Sequence, residues 1–137
     1  VIKAKDRSVN INVAQSVVDA NLKVGVLAGA GEFEIGDIVV YGIALKNGKV
    51  MYRLDIDGIK LGLVGEGVQT EELDELGPID ILGATDHKIV GIVEPKILIP
   101  MGNMDFAEVK ATVNVEKKLK IKNASSLPAT LTIYRLD

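Results

Sequence analysis

The dipeptide Asp57-Gly58 separates two runs, Lys49 to Ile56 and Ile59 to Val64, in which apolar residues recur at alternate positions, and no other feature constrains the fold as tightly. Alternation of period two puts one face of a strand on a core, and an Asp-Gly pair supplies the positive φ of a tight hairpin turn. Lys46-Asn47-Gly48-Lys49 repeats the turn signal upstream, so a meander is expected from about Asp37 to Val64. Ser8 to Val13 and Lys118 to Lys122 alternate in the same way and read as further strands. Ile79 to Leu82 and Ile97 to Ile99 do not alternate; short apolar runs of that kind fit strands covered on both faces.

Helical signals are short. Thr70-Glu71-Glu72-Leu73-Asp74-Glu75-Leu76-Gly77-Pro78 opens with a capping threonine and early carboxylates and closes on Gly-Pro, which predicts a two-turn helix. Thr85 to Pro95 opens with Thr85-Asp86 and stops before proline, with Ile89, Ile92 and Val93 expected on one buried face. A short helix is also possible over Val13 to Ala20, and Phe106 to Ala111 is ambiguous. At 137 residues without a linker or repeat, the chain suits one domain spanning 1–137. It begins at Val1 rather than at a methionine, which leaves room for a preceding segment.

Composition removes several function classes. The absence of cysteine excludes disulfides and thiolate metal sites, and a single histidine leaves no Ser-His-Asp arrangement supported by residue order. Gly25, Gly29, Gly31 and Gly36 are followed by no Gly-Lys-Ser/Thr and read as turn glycines rather than a phosphate loop. A net charge of −3 and 4% aromatic residues argue against a nucleic-acid partner. Charge or glycine cuts every apolar run well before membrane-spanning length, so the expectation is a cytoplasmic protein with no membrane partner.

Gly31-Glu32-Phe33-Glu34, Asp57-Gly58, Thr70-Glu71-Glu72, Leu76-Gly77 and Pro95-Lys96-Ile97-Leu98-Ile99-Pro100-Met101 occur in an order and spacing that resembles the metallo-β-lactamase fold. The similarity is to the branch containing the ascorbate-6-phosphate lactonases and related hydrolases; it runs from about Leu27 to Met101, and Leu119 to Leu136 fits the closing strands more loosely. It implies a β-rich α/β domain, a reduced metallo-β-lactamase-like sandwich of mixed and antiparallel sheets with two or three short helices. The family's His-x-His-x-Asp-His motif should precede Gly31, where Val13 to Val26 has no histidine. Gly42-Ile43-Ala44-Leu45-Lys46 stands where the family often carries Gly-Ile-Pro with a nearby histidine, Glu66 replaces the bridging aspartate, and Gly102 stands where a histidine should follow Pro-Met.

The residues that could retain a trace of metal chemistry are Glu66, Asp86 and His87. Each also has a plain structural reading, Glu66 as a solvated turn residue and Asp86-His87 as part of a helix cap. Glu32 and Glu34 share one strand face, but the resemblance makes them scaffold. The sequence therefore favours a chain with no catalytic residue, metal or other cofactor, acting structurally or through interaction. The alternative is a metal-dependent hydrolase of a small phosphorylated or lactone-type substrate whose ligands come from outside this chain. A homo-oligomer is expected, because Val24 to Leu27, Ile38 to Ile43 and Leu131 to Ile133 offer more apolar surface than a small domain with few helices can cover.

Overall fold

The computed structural model describes residues 2–4, 7–12, 17–20, 26–28, 31–35, 38–102, 104, 109, 111–116, 119–121 and 124–136. Two sheets hold twelve strands among these residues. In the smaller, β1 (Ile2–Ala4), β2 (Arg7–Asn12), β3 (Val17–Ala20) and β4 (Val26–Ala28) follow one another antiparallel. The alternating run from Ser8 is thus a strand, but Val17–Ala20 is not helical. Asn12 faces Val17 and Asp19 faces Val26, so β3 has a hydrogen-bonding neighbour on each side, and paired backbone outweighs the weak helix signal of the β-branched Val17-Val18. Val13 to Ser16, Gly25, Gly29 and Gly36 lie outside the described residues.

The larger sheet contains β5 (Gly31–Ile35), β6 (Ile38–Ala44), β7 (Val50–Ile56), β8 (Ile59–Val64), β9 (Ile81–Ala84), β10 (Ile97–Pro100), β11 (Thr112–Glu116) and β12 (Thr132–Leu136). Its order is β11-β12-β10-β9-β8-β7-β6-β5. The strands from β5 to β8 form the expected antiparallel meander, with Asp57 at φ 50° and Gly58 at φ 81° closing the β7–β8 hairpin. At the β6–β7 turn only Gly48 has positive φ (84°), and the Leu45 N–H donates to the Lys49 carbonyl, so this loop is longer than a two-residue turn. From β8 onward the pairing is parallel, through β9, β10, β12 and β11.

Each face of this sheet carries a core. Val50, Tyr52, Leu54, Ile59, Leu61, Ile81 and Ile97 form one, with half-buried Leu119, Ile121 and Leu127 against it. Met51, Val64, Leu82, Leu98 and Ile133 form the other, beneath Leu73, Leu76, Ile89 and Val90 of the crossover helices. Central strands between two cores need apolar residues at every position, which is why Ile81–Ala84 is buried throughout. Leu119 and Ile121 contact the core without belonging to a strand: residues 119–121 pair with no neighbour, and the last strands are β11 and β12 instead. Lys118, Lys122 and most of Phe106 to Ala111 lie outside the described residues, as does the Phe33 side chain.

The helices are shorter and tighter than their patterns predict. Thr70–Leu76 is a 3-10 helix capped by Gln69 rather than Thr70. His87–Ile89 is a 3-10 turn that passes into a single α-helical turn, α1 (Val90–Val93), with Asp86 as the cap. Because the first residues wind more tightly than 3.6 per turn, Ile89 and Val90 are buried while Ile92 is 47% exposed. Pro95 disfavours helical geometry at Glu94, which turns to φ 53° and ends the segment. No helix among the described residues is long and apolar enough to cross a membrane.

Two polar arrangements lock the crossovers to the sheet. Arg53 Nη1 donates to the Leu76 carbonyl at 3.1 Å, satisfying a carbonyl that the helix end leaves unpaired. The same guanidinium stacks 4.3 Å from the Tyr41 ring centre and pairs with Asp55 at 3.2 Å. At the other end of the parallel strands, the Asp80 carboxylate accepts from the Lys60 N–H and its carbonyl accepts from Lys96 and Ile97, joining the starts of β8, β9 and β10.

The Tyr52 hydroxyl is the weak point of the first core. Its residue is fully buried, the hydroxyl has no hydrogen-bond partner among the described residues, and burial pushes its pKa above the ordinary tyrosine value. A buried unpaired hydroxyl costs free energy that its removal recovers. Tyr52→Phe should therefore raise stability at neutral pH by about 1 kcal/mol in chemical denaturation. The parent should also lose stability relative to the variant as pH rises above 10.0, where the unfolded tyrosine ionises before the folded one. A destabilised Tyr52→Phe protein would show that the hydroxyl has a partner.

Candidate functional site

Parallel registry fixes where any site must lie. Val64 faces Ala84 and Ala84 faces Pro100, so β8, β9 and β10 end level with one another. The loops that follow them, beginning at Gly65, Thr85 and Met101, emerge along one edge of the sheet, and ligand sites in parallel sheets gather at such carboxyl ends. The β6–β7 turn reaches the same edge because Tyr52 of β7 pairs with Leu63 of β8.

All three sequence-predicted residues lie on this edge. Glu66 is exposed in the turn after β8, where its carbonyl, rather than its carboxylate, is engaged: Asn47 Nδ2 donates to the carbonyls of Glu66 and Gly67, both at 3.2 Å. Gly67 has φ 81°, a turn geometry that favours glycine, and a Cβ there would stand 2.6 Å from Asn47 Nδ2 and displace that side chain from its two carbonyls. After β9, Asp86 Oδ1 accepts the Lys88 N–H at 3.0 Å as a helix cap, and His87 Nδ1 lies 4.0 Å from the same oxygen. The carboxylate is thus committed to its local turn.

After β10, Gly102 adopts φ 60°, and among the described residues a Cβ built on it would meet only Thr85 Cγ2, at 3.9 Å. The loops after β9 and β10 are therefore neighbours. Thr85 Oγ1 is buried there and makes no hydrogen bond among the described residues. Glu32 and Glu34 are both exposed on β5, at the far edge of the sheet order from β10.

Sequence reasoning missed the residue that organises this edge. Glu72 is 8% exposed and is the buried charged residue of the described set. Its Oε2 accepts the Lys46 N–H and its Oε1 accepts the Gln69 N–H, each at 3.0 Å, so one carboxylate ties the β6–β7 turn to the start of the crossover helix. The signal was the Gln69-x-x-Glu72 spacing of a capping box, obscured because Thr70 is the better capping residue by type. The hydrogen bond from Lys46, then that from Gln69, and the nearby Lys46 charge hold the Glu72 carboxyl below its ordinary value against the opposing effect of burial.

The resemblance noted from the sequence implies a metal centre, and the donors can be tested against one. A catalytic zinc site takes three protein ligands, drawn from His, Cys and carboxylates, and keeps an open position. Among the described residues no group of three His, Cys, Asp or Glu side chains is placed to hold a metal ion. One exposed glutamate, one capping aspartate, the only histidine of the chain and a glycine do not fit that donor set.

Glu72→Gln should lower the melting temperature at neutral pH, since an amide cannot offer two acceptor oxygens to two N–H donors. The folded carboxyl is depressed, so its contribution is present above the ordinary value of 4.5 and disappears as pH falls through the folded value. The gap between parent and variant, followed by thermal melts across pH, should close on acidification. A gap that persists at low pH would contradict this assignment.

No family model matches the sequence, and no curated protein matches it. Among solved structures, the chain is similar to a Thermotoga maritima protein assigned to the Zn-dependent hydrolases of the metallo-β-lactamase superfamily, with a TM-score of 0.58 and 14% identity over 80% of this chain and 71% of that one. The mixed, β-rich architecture described above is thus the metallo-β-lactamase fold.

Proposed function

We propose that this chain is a metallo-β-lactamase-like protein without hydrolytic chemistry, serving a structural or protein-interaction role and assembling with copies of itself. One observation supports this reading above others: the loops after β8, β9 and β10 bring Glu66, Asp86-His87 and Gly102 to one edge of the sheet, and among the described residues these form no donor set for a metal. A metal-activated hydroxide needs such a set. The edge is instead tied together by groups of the protein itself, through Glu72 and Asn47.

A second reading draws on Thr85. Its buried, unpaired hydroxyl beside the open Gly102 position is a polar group awaiting a partner. Ligands supplied by another chain or by a preceding segment would meet it there and make a hydrolase of a small phosphorylated or lactone-type substrate, in keeping with the zinc assignment of the Thermotoga protein.

Elemental analysis of the purified protein separates the two. After dialysis against a mild chelator, the first reading expects zinc and manganese far below one ion per chain. Near-stoichiometric metal would overturn it and establish the second.

A further inference from the structure

Ile38, Val40 and Ile133, in the segments expected to supply surface for assembly, are fully buried within this chain. The turns stand open to solvent instead, and one carries a reactive pair. Asn47 and Gly48 are both exposed in the β6–β7 turn. In such a pair the Gly48 backbone nitrogen can attack the Asn47 Cγ, since glycine presents no Cβ to obstruct the approach. The attacking nitrogen gives up its proton, the C–N bond of the carboxamide breaks, and ammonia leaves. Water then opens the resulting cyclic imide at either carbonyl, giving aspartate or isoaspartate. The net change consumes water, releases ammonia and needs no other reactant.

The fold opposes that chemistry at each reacting group. The Gly48 N–H donates to the Leu45 carbonyl at 3.1 Å. Asn47 Oδ1 accepts the Lys49 N–H at 2.9 Å, while Nδ2 is held by the Glu66 and Gly67 carbonyls. The carboxamide must leave these partners before its Cγ can meet the Gly48 nitrogen. We infer that Asn47 is a latent deamidation site, held inert by the same hydrogen bonds with which it pins the loop after β8, so that its conversion unties that loop for good.

A carboxylate at position 47 has no hydrogen to donate, and its charge would face the two carbonyls that the amide now holds. Isoaspartate, in addition, lengthens the main chain by a methylene directly after Lys46, whose N–H is held by Glu72 at 3.0 Å. Both ties between the β6–β7 turn and its neighbours are therefore at stake in one reaction. The site stands apart from the metal question and depends on neither reading of it.

Mass spectrometry of the peptide containing Asn47 tests it, following the exchange of amide for carboxyl during incubation at mildly alkaline pH. The folded parent should convert at least about tenfold more slowly than the same chain unfolded in guanidinium chloride, because several modest hydrogen bonds must break together first. Gly67→Ala, whose Cβ would stand 2.6 Å from Asn47 Nδ2, displaces the carboxamide and should convert several-fold faster than the parent. Glu72→Gln loosens the residue before Asn47, should act in the same direction, and covers the case in which Gly67→Ala does not fold. Ile133→Val, which weakens the core far from this turn, should convert at the parent's rate. No conversion in the unfolded chain, a folded parent as fast as the unfolded chain, folded variants of the turn no faster than the parent, or Ile133→Val accelerated as much as they are would overturn the inference. Converted parent, separated by ion exchange on its added negative charge, should melt below the unconverted protein; equal melting would show that Asn47 does not pin the loop.

Discussion

The structure depends on the parallel registry that ends β8, β9 and β10 at the same level. Parallel neighbours cannot be joined by a tight hairpin; each pair needs a connection that crosses one face of the sheet. Here those crossovers are the 3-10 helix Thr70–Leu76 and the composite His87 to Val93 segment, both short. Short helices bring little helix stability of their own, so packing and a few polar anchors must place them. Leu73, Leu76, Ile89 and Val90 supply the apolar contact. Arg53 holds the end of the first crossover and Glu72 its beginning. The edge therefore inherits its shape from the sheet and from two charged side chains, buried Glu72 and half-buried Arg53, that are engaged with backbone groups of the crossover.

The same organisation explains how the fold can stand without the donor set of a metal site. The candidate positions Glu66, Asp86, His87 and Gly102 lie on loops beyond the strand ends, while the core lies between them, in residues such as Leu82, Leu98 and Tyr52. Glycine at 102 leaves the edge without a side chain at that position, and among the described residues a Cβ there would meet Thr85 rather than a core side chain. Meanwhile Asn47 binds the Glu66 turn and Asp86 caps its own helix. Each loop is secured within the protein.

Most of the larger sheet was legible in the sequence because its signals are local. Asp57-Gly58 fixed one hairpin, period-two runs marked β7 and β8, and unbroken apolar runs marked the buried β9 and β10. What escaped depends on pairing at a distance. Val17–Ala20 is a strand only because β2 and β4 flank it, and the residues from Leu119 to Ile121 alternate but find no partner strand. Ile92 was misplaced because a helical wheel assumes 3.6 residues per turn, and this segment opens in 3-10 geometry. Glu72 is the instructive omission. Its role requires a turn 26 residues upstream, which no local pattern reports. The candidate residues Glu66, Asp86 and His87 come to one edge, which no local pattern could report, and among the described residues no three side chains are placed there to hold a metal.

The central proposal is that this edge binds no metal. The most direct measurement is anomalous diffraction at the zinc absorption edge from crystals equilibrated with zinc. The account predicts no anomalous peak among the loops after β8, β9 and β10. A peak at coordination distance from His87 together with Glu66 or Asp86 would contradict it, because those side chains would then have converged into the site that the present geometry does not form.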